Sequence, residues 1–257
     1  MKKGQVSVFI IAGIAIVGII LMFLFFKIGV IQDTGQGKDI EPNSFLSSCL
    51  EDKIKETTEI LSSQGGSIGN PLNKTFQFSD ERAPSDISYL CYTQNYYETC
   101  VNQEPVLIGH LKKEIKDYIS EDVKNCFDEL VFSLEKKGHV VDAMYKGFDI
   151  KLMPKKIIVE GYSELVLTKS GETTKQEDFK VSVTSKFYDL AVVVQEITSQ
   201  EARFCNFENL GFMLFYLQFD IDKFKTGDST TIYTVGDRDS KEEFKFAIRG
   251  CVIPPGI

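Results

Sequence analysis

Several short patterns in this chain carry residue types that could do chemistry. Gly65-Gly66-Ser67-Ile68-Gly69 satisfies G-x-S-x-G, the pattern that exposes a nucleophilic serine on a sharp turn from a strand into a helix. Here it follows a helical stretch and runs into Asn70-Pro71, so that turn is not expected. Asp33-Thr34-Gly35 matches the short aspartic-protease signature, but paired carboxylates need a second copy and the chain has one. The two histidines, His110 and His139, lack the H-E-x-x-H spacing of a zinc site. Acidic residues gather at Asp220, Asp222 and Asp228 and again at Asp237, Asp239, Glu242 and Glu243, without the order of a calcium loop. A glycosidase pair leaves no local pattern to find. No catalytic residue, metal ligand or cofactor is therefore assigned.

Two other sets are more telling. The cysteines, Cys49, Cys91, Cys100, Cys126, Cys205 and Cys251, are even in number, and none forms a C-x-x-C pair. In an oxidising compartment they read as up to three disulfides, although six cysteines allow fifteen pairings and spacing alone does not choose. Around two of them cluster Tyr89, Tyr92, Tyr96 and Tyr97. A Cys91–Cys100 bond would close a small loop and present rigid amphipathic rings for recognition; the competing reading is a hairpin whose tyrosines pack on the domain.

Whether disulfides can form depends on where the chain sits, and its first stretch speaks to that. Gln5 to Phe26 contains no charge, and fifteen of its twenty-two side chains are Val, Ile, Leu or Phe. As a helix it would be about 33 Å long, enough for a hydrocarbon core of about 30 Å. Insertion of those fifteen side chains contributes about −5 to −9 kcal/mol. Lys2 and Lys3 precede the run, while Lys27 and Lys38 after it are mixed with Asp33, Asp39 and Glu41. The expected topology is a cytoplasmic basic leader over residues 1–4, a transmembrane helix over 5–28, a linker over 29–43 and everything later outside the membrane. A cleaved secretory signal is the alternative, but the run is long for one and lacks a small-x-small cleavage site.

Lys2-Lys3-Gly4-Gln5-Val6-Ser7 resembles the class III signal peptide of archaeal type IV pilin-like proteins. The resemblance implies cleavage between Gly4 and Gln5, with the apolar helix left attached. Phe9 stands where many filament-forming pilins place a Glu, so the charge that would meet a neighbouring subunit's buried N-terminal amine is missing. Ser48-Cys49-Leu50-Glu51 through Gln64-Gly65-Gly66 also resembles a helix of uncharacterised archaeal membrane proteins with the same leader. That likeness implies shared architecture and no activity.

The exported part keeps 25 of the 29 basic and 34 of the 37 acidic residues. A formal charge near −9 argues against nucleic-acid partners and anionic lipid. Periodicity predicts an α+β domain, mainly helical over 44–138 and mainly antiparallel β with one helix over 139–257. Leu46, Cys49, Leu50, Ile54, Thr57 and Leu61 share one helical face, with Asn43 placed to cap its start and Gly65 to end it. Leu107, Leu111, Ile115, Tyr118 and Ile119 form a second face, and Val123, Cys126, Phe127, Leu130 and Leu134 a third. Since Cys49 and Cys126 each lie on an inward stripe, they are paired here, and Cys251 is placed to staple the C-terminus to Cys205.

After Gly138 the period falls to two. Strands are predicted over 140–152, 156–168 and 179–186, a helix over 187–203, and strands over 212–221, 230–235 and 243–249. In the first of the last three, Met213, Phe215, Leu217, Phe219 and Ile221 would form one apolar face.

The leading expectation is a single-pass, membrane-anchored protein presenting an interaction or adhesion domain to protein or surface partners, without enzymatic activity. The alternatives are a minor filament subunit and a membrane-tethered hydrolase acting on envelope polymers.

Overall fold

A computed structural model describes residues 40–79 and 82–253. Gly4, Gln5, the predicted span over 5–28, Asp33-Thr34-Gly35 and nearly all of the linker lie outside the described residues. Among the described residues, no helix is long and apolar enough to cross a membrane.

The first described helix, α1 (Pro42–Ser63), buries Leu46, Leu50, Ile54, Thr57 and Leu61 on one stripe. Proline stands at its first position, where a missing N–H costs nothing. Glu41, and not Asn43, caps it: the Glu41 carboxylate accepts from the amides of Asn43 and Ser44. A carboxylate at the positive end of the helix is favoured over the neutral amide, and the Asn43 side chain is instead turned to the Lys180 amide, 3.3 Å away. The helix stops because Gly65 and Gly66 both take positive φ, 75° and 86°, and the Gly66 N–H closes on the Leu61 carbonyl. A side chain at Gly65 would lie 2.9 Å from the Ser88 backbone, so no other residue fits there.

Two further helices, α2 (Leu107–Tyr118) and α3 (Ser120–Lys136), present Leu107, Leu111 and Ile115, and Val123, Cys126, Phe127, Leu130 and Leu134, to the same core. Tyr118 is the exception on the predicted face of α2, since its ring is exposed.

The strands form two sheets. The smaller is a meander of β4 (Val140–Met153), β5 (Lys156–Lys169) and β6 (Glu172–Thr184). Its second turn, Ser170-Gly171, has both φ angles positive, as a two-residue hairpin requires. Gly161 pairs with Phe179, whose ring occupies the place where a Cβ would stand, 1.9 to 2.4 Å away. Gly161→Ala is therefore expected to displace that buried ring and cost about 1–3 kcal/mol in urea unfolding; a change below about 0.5 kcal/mol would show the ring moves freely.

The larger sheet runs β1 (Asn73–Phe76), β2 (Ser85–Tyr92), β9 (Glu243–Arg249), β8 (Thr231–Asp237), β7 (Phe219–Lys225), with the short β3 (Val101–Asn102) also on β2. It is mixed, not purely antiparallel, because β2 and β9 pair in parallel. Strands from before and after residue 139 thus share one sheet. The helix α4 (Phe187–Phe204) buries Leu190, Val193, Val194 and Ile197 against it.

One predicted strand is wrong. Residues 209–215 form a helix, α5 (Asn209–Phe215), and extended structure begins only at Phe219. The apolar run Leu210 to Leu217 is nearly unbroken, so it fits either period. The helical one wins because it turns Asn209, Phe212 and Met213 toward the body. Phe212 packs between Phe207, tilted at 5.4 Å, and Tyr216, stacked at 4.5 Å, and Asn209 Nδ2 donates to the Ile221 carbonyl at 3.0 Å. Of the predicted apolar face, Phe219 and Ile221 are buried, Met213 is half-buried, and Phe215 and Leu217 face outward.

Candidate functional site

Three disulfides brace the domain. Cys49 of α1 is bonded to Cys126 of α3, Cys91 of β2 to Cys100, and Cys205 at the end of α4 to Cys251 just past β9. Among the described residues no cysteine is free.

The Cys91–Cys100 bond closes the loop expected to display four tyrosines, and the structure divides that set. Tyr89 is corrected from surface to core: it lies in β2, its ring is buried, and its hydroxyl meets Thr230 Oγ1 at 2.8 Å. β2 is covered on both faces, Ile87 to Cys91 all being buried, so Tyr89 packs with Ile87, Ile232 and Ala247, and the Thr230 hydroxyl satisfies its polar tip. Tyr92 is half-buried against Tyr89, with ring centroids 4.9 Å apart. Only Tyr96 and Tyr97 are presented, 48% and 62% exposed. Tyr97 has φ of 59°, a conformation uncommon for an aromatic residue and held here by its neighbours. The Tyr97 N–H donates to the Val252 carbonyl at 2.9 Å, and the Cys251 N–H to the Glu98 carbonyl at 2.7 Å.

That pairing ties the tyrosine loop to a second surface. Cys251 is the partner of Cys205, with Cα atoms 5.9 Å apart, and Cys205 leads directly into α5. From there Leu210, Leu214, Phe215 and Leu217 project into solvent, Leu214 76% and Phe215 85% exposed. Phe204 is exposed as well, with the Arg203 guanidinium 5.1 Å from its ring centre. The run Asn209 to Leu217 contains no charged residue in a chain of formal charge −8. Exposed apolar side chains gathered this way mark contact sites more often than scattered ones do. Sequence reasoning missed them because it placed the run in a sheet; the absence of charge across nine residues was the available signal.

Behind α5 lies a buried polar knot that sequence reasoning also missed. Glu201 of α4 accepts from the Tyr233 hydroxyl, from the Phe207 N–H at 3.1 Å and from Lys223 Nζ at 3.2 Å. Burial first, and then the Glu201 carboxylate, push the Tyr233 phenol well above its ordinary range. The knot fixes the end of α4 and the turn into α5.

The motifs with catalytic potential fall elsewhere. Ser67 Oγ lies 2.8 Å from His110 Nε2, and His110 Nδ1 lies 3.6 Å from Glu104 Oε2. The order of groups is that of a serine-hydrolase triad, yet two features oppose the chemistry. Ser67 is only 7% exposed. The Ile68 N–H, which follows the serine and would bind an oxyanion, instead donates to the Glu114 carboxylate at 3.2 Å, placing negative charge where negative charge would develop. His139 stands before β4, its Nε2 3.5 Å from Lys169 Nζ.

The acidic groups hold turns together. Asp237 is buried, pairs with Lys186 Nζ at 2.9 Å and accepts from the Asp239 and Ser240 amides. Glu242 accepts from the Ser185 hydroxyl at 2.7 Å and from the Lys186 N–H. Asp228 pairs with Lys74 at 2.7 Å, and Asp220 with Arg238 at 3.3 Å. Among the described residues no group of three His, Cys, Asp or Glu is placed to hold a metal ion. A cleft of about 530 Å³ between α1, the β5–β6 ends and the β8–β9 turn is lined by charges of both signs, including Lys55, Glu59, Lys241 and Lys245.

Burial works to raise the Asp237 carboxyl, but the Lys186 ammonium and the Ser240 amide outweigh it and hold it below the usual range. A depressed folded-state value means this carboxylate stabilises the fold above the unfolded carboxyl range, near pH 4, and loses that contribution as pH falls through the folded value. Asp237→Asn is expected to flatten the fall in stability below pH 4, measured by urea unfolding across pH 2 to 6. An unchanged slope would show that the pair contributes nothing.

No protein-family model, curated protein or solved structure matches the chain.

Proposed function

We propose that the chain is a single-pass, membrane-anchored protein whose domain, residues 40 onward, stands on the extracytoplasmic side and works by non-covalent contact and not by catalysis. The observation that carries this reading is the pairing of all six cysteines beside exposed Tyr96, Tyr97, Leu214 and Phe215. Disulfides persist in oxidising compartments, and the apolar run over Gln5–Phe26 supplies a reason for the chain to be there and to stay attached. Rigid aromatic rings on a closed loop lose little entropy when they are covered.

The test is digestion of intact cells by an added protease, with antibodies against the domain. Loss of the domain signal from intact cells, together with a membrane-retained N-terminal fragment, supports the reading. A domain protected until the cells are lysed would overturn it. N-terminal sequencing of the same material, starting at Gln5 or at Met1, decides the leader.

The tethered hydrolase draws on Ser67 and His110, and it has its own test. A fluorophosphonate probe is expected to leave the full-length protein unlabelled, because Ser67 is buried and its oxyanion donor is occupied. Labelling that disappears in Ser67→Ala would reinstate the hydrolase.

A further inference from the structure

We propose that the face formed by Leu210, Leu214, Phe215 and Leu217, with Phe204 at its edge, rests in the interfacial layer of a lipid bilayer as a second, reversible membrane contact. The proposal rests on the anchored reading above. Within α5 the side chains divide by period. Asn209, Phe212 and Met213 hold the helix to the body, whereas Leu210 and Leu214 recur at i and i+4 on the other side, and exposed Leu217 follows just past the helix end. The exposed stripe is thus apolar as well as the packed one, whereas an ordinary surface helix turns polar residues to solvent. The Glu201 knot and the Cys205–Cys251 bond fix its base.

Lipid fits this face better than a second copy does. Residues 29–41 can span at most about 45 Å when extended, so an anchored chain never carries the domain far from a bilayer. Tethering raises the effective concentration of lipid at the face, and a weak intrinsic affinity then suffices. A free partner has no such help. Stable protein interfaces use about 20 to 30 residues on each side, far more than one seven-residue helix and its flanks provide, and two copies of a chain of charge −8 repel each other. The chemistry of the face is interfacial: aliphatic side chains, Phe215, half-exposed Tyr216 and, at the rim, Arg203, whose stem can lie along the apolar surface while its charge stays in water. Since Asn209 to Leu217 carries no charge, the contact depends on apolar burial and not on anionic headgroups.

The chain contains no Trp, which allows a single indole to report on the face. Phe215→Trp places one there, and Phe132→Trp places a control on the exposed side of α3. The full-length variants are reconstituted into phosphatidylcholine vesicles, with and without bromine on the acyl chains. The expected result is blue-shifted F215W emission, most of which brominated lipid quenches in low and high salt alike, beside F132W emission that stays red and nearly unquenched. Vesicle-bound protein whose F215W emission matches F132W would overturn the lipid contact and leave the anchor standing. A blue shift without bromine quenching, growing with protein density, would overturn it in favour of a second copy. Protein that does not float with vesicles at all would overturn both the contact and the anchored reading.

Discussion

Replacing Cys49 and Cys126 together by Ala is expected to lower the unfolding free energy by about 4 kcal/mol. The bond spans 77 residues of sequence, and a loop of that size removes much entropy from the unfolded chain. Its two ends lie on different helices of the same core, α1 and α3, so the cross-link also ties together the two apolar stripes on which that core is built. Urea unfolding of the full-length protein in detergent, wild type against variant and each with and without reductant, measures the effect. Reductant should destabilise the wild type further than it does the variant, because the variant has already lost one bond. A loss below about 1 kcal/mol would mean that helix packing alone holds α1 in place.

Glu201→Ala is expected to cost a similar amount, about 3–5 kcal/mol, for a different reason. Two buried donors, the Tyr233 hydroxyl and the Phe207 amide, lose their acceptor, at about 1–3 kcal/mol each, and Lys223 loses its counter-charge. Glu201→Gln keeps a carbonyl oxygen for the same donors and should recover much of the loss. The two variants together separate a missing hydrogen-bond acceptor from a missing charge. Equal destabilisation by both would assign the effect to charge, and destabilisation by neither would show that water replaces the carboxylate. Because the knot sets the turn into α5, Glu201→Ala should also weaken the proposed lipid contact, read by the F215W reporter, at urea concentrations where the rest of the domain remains folded.

The helices α1, α2 and α3 were legible in the sequence because each carries one apolar stripe at a period near 3.6 with polar residues between. The meander of β4, β5 and β6 was legible for the matching reason, alternation broken at Ser170-Gly171, except that β6 begins at Glu172 and not at the predicted 179, because Glu172 to Asp178 are polar and mostly exposed and show no alternation. α5 was not. Where Leu, Phe, Met and Tyr follow one another without polar punctuation, burial cannot be assigned to one face from the sequence, and the packing of Phe212 between Phe207 and Tyr216 decides the period. The parallel pairing of β2 with β9 was also hidden, since residues about 160 apart, such as Tyr89 and Ala247, meet and no local signal announces them.

The site was legible in part. The cluster Tyr89 to Tyr97 stands out by composition, but composition does not say that β2 is covered on both faces and takes Tyr89 with it. Ser67 and His110 come together across 43 residues, a proximity that the G-x-S-x-G pattern could not announce. Even in contact they lack a free oxyanion donor, a matter of where Glu114 lies. The exposed face of α5 could have been flagged by its lack of charge, once the run was read as helical.

We proposed above that the domain belongs to an oxidising compartment and remains attached to a membrane. The most direct test of that proposal is a non-reducing peptide map of the chain recovered from alkali-washed membranes of the native cell, with free thiols blocked at lysis. The chain is expected in the membrane pellet, with linked peptides for Cys49–Cys126, Cys91–Cys100 and Cys205–Cys251 and no blocked thiol. A soluble chain with all six cysteines blocked would contradict it.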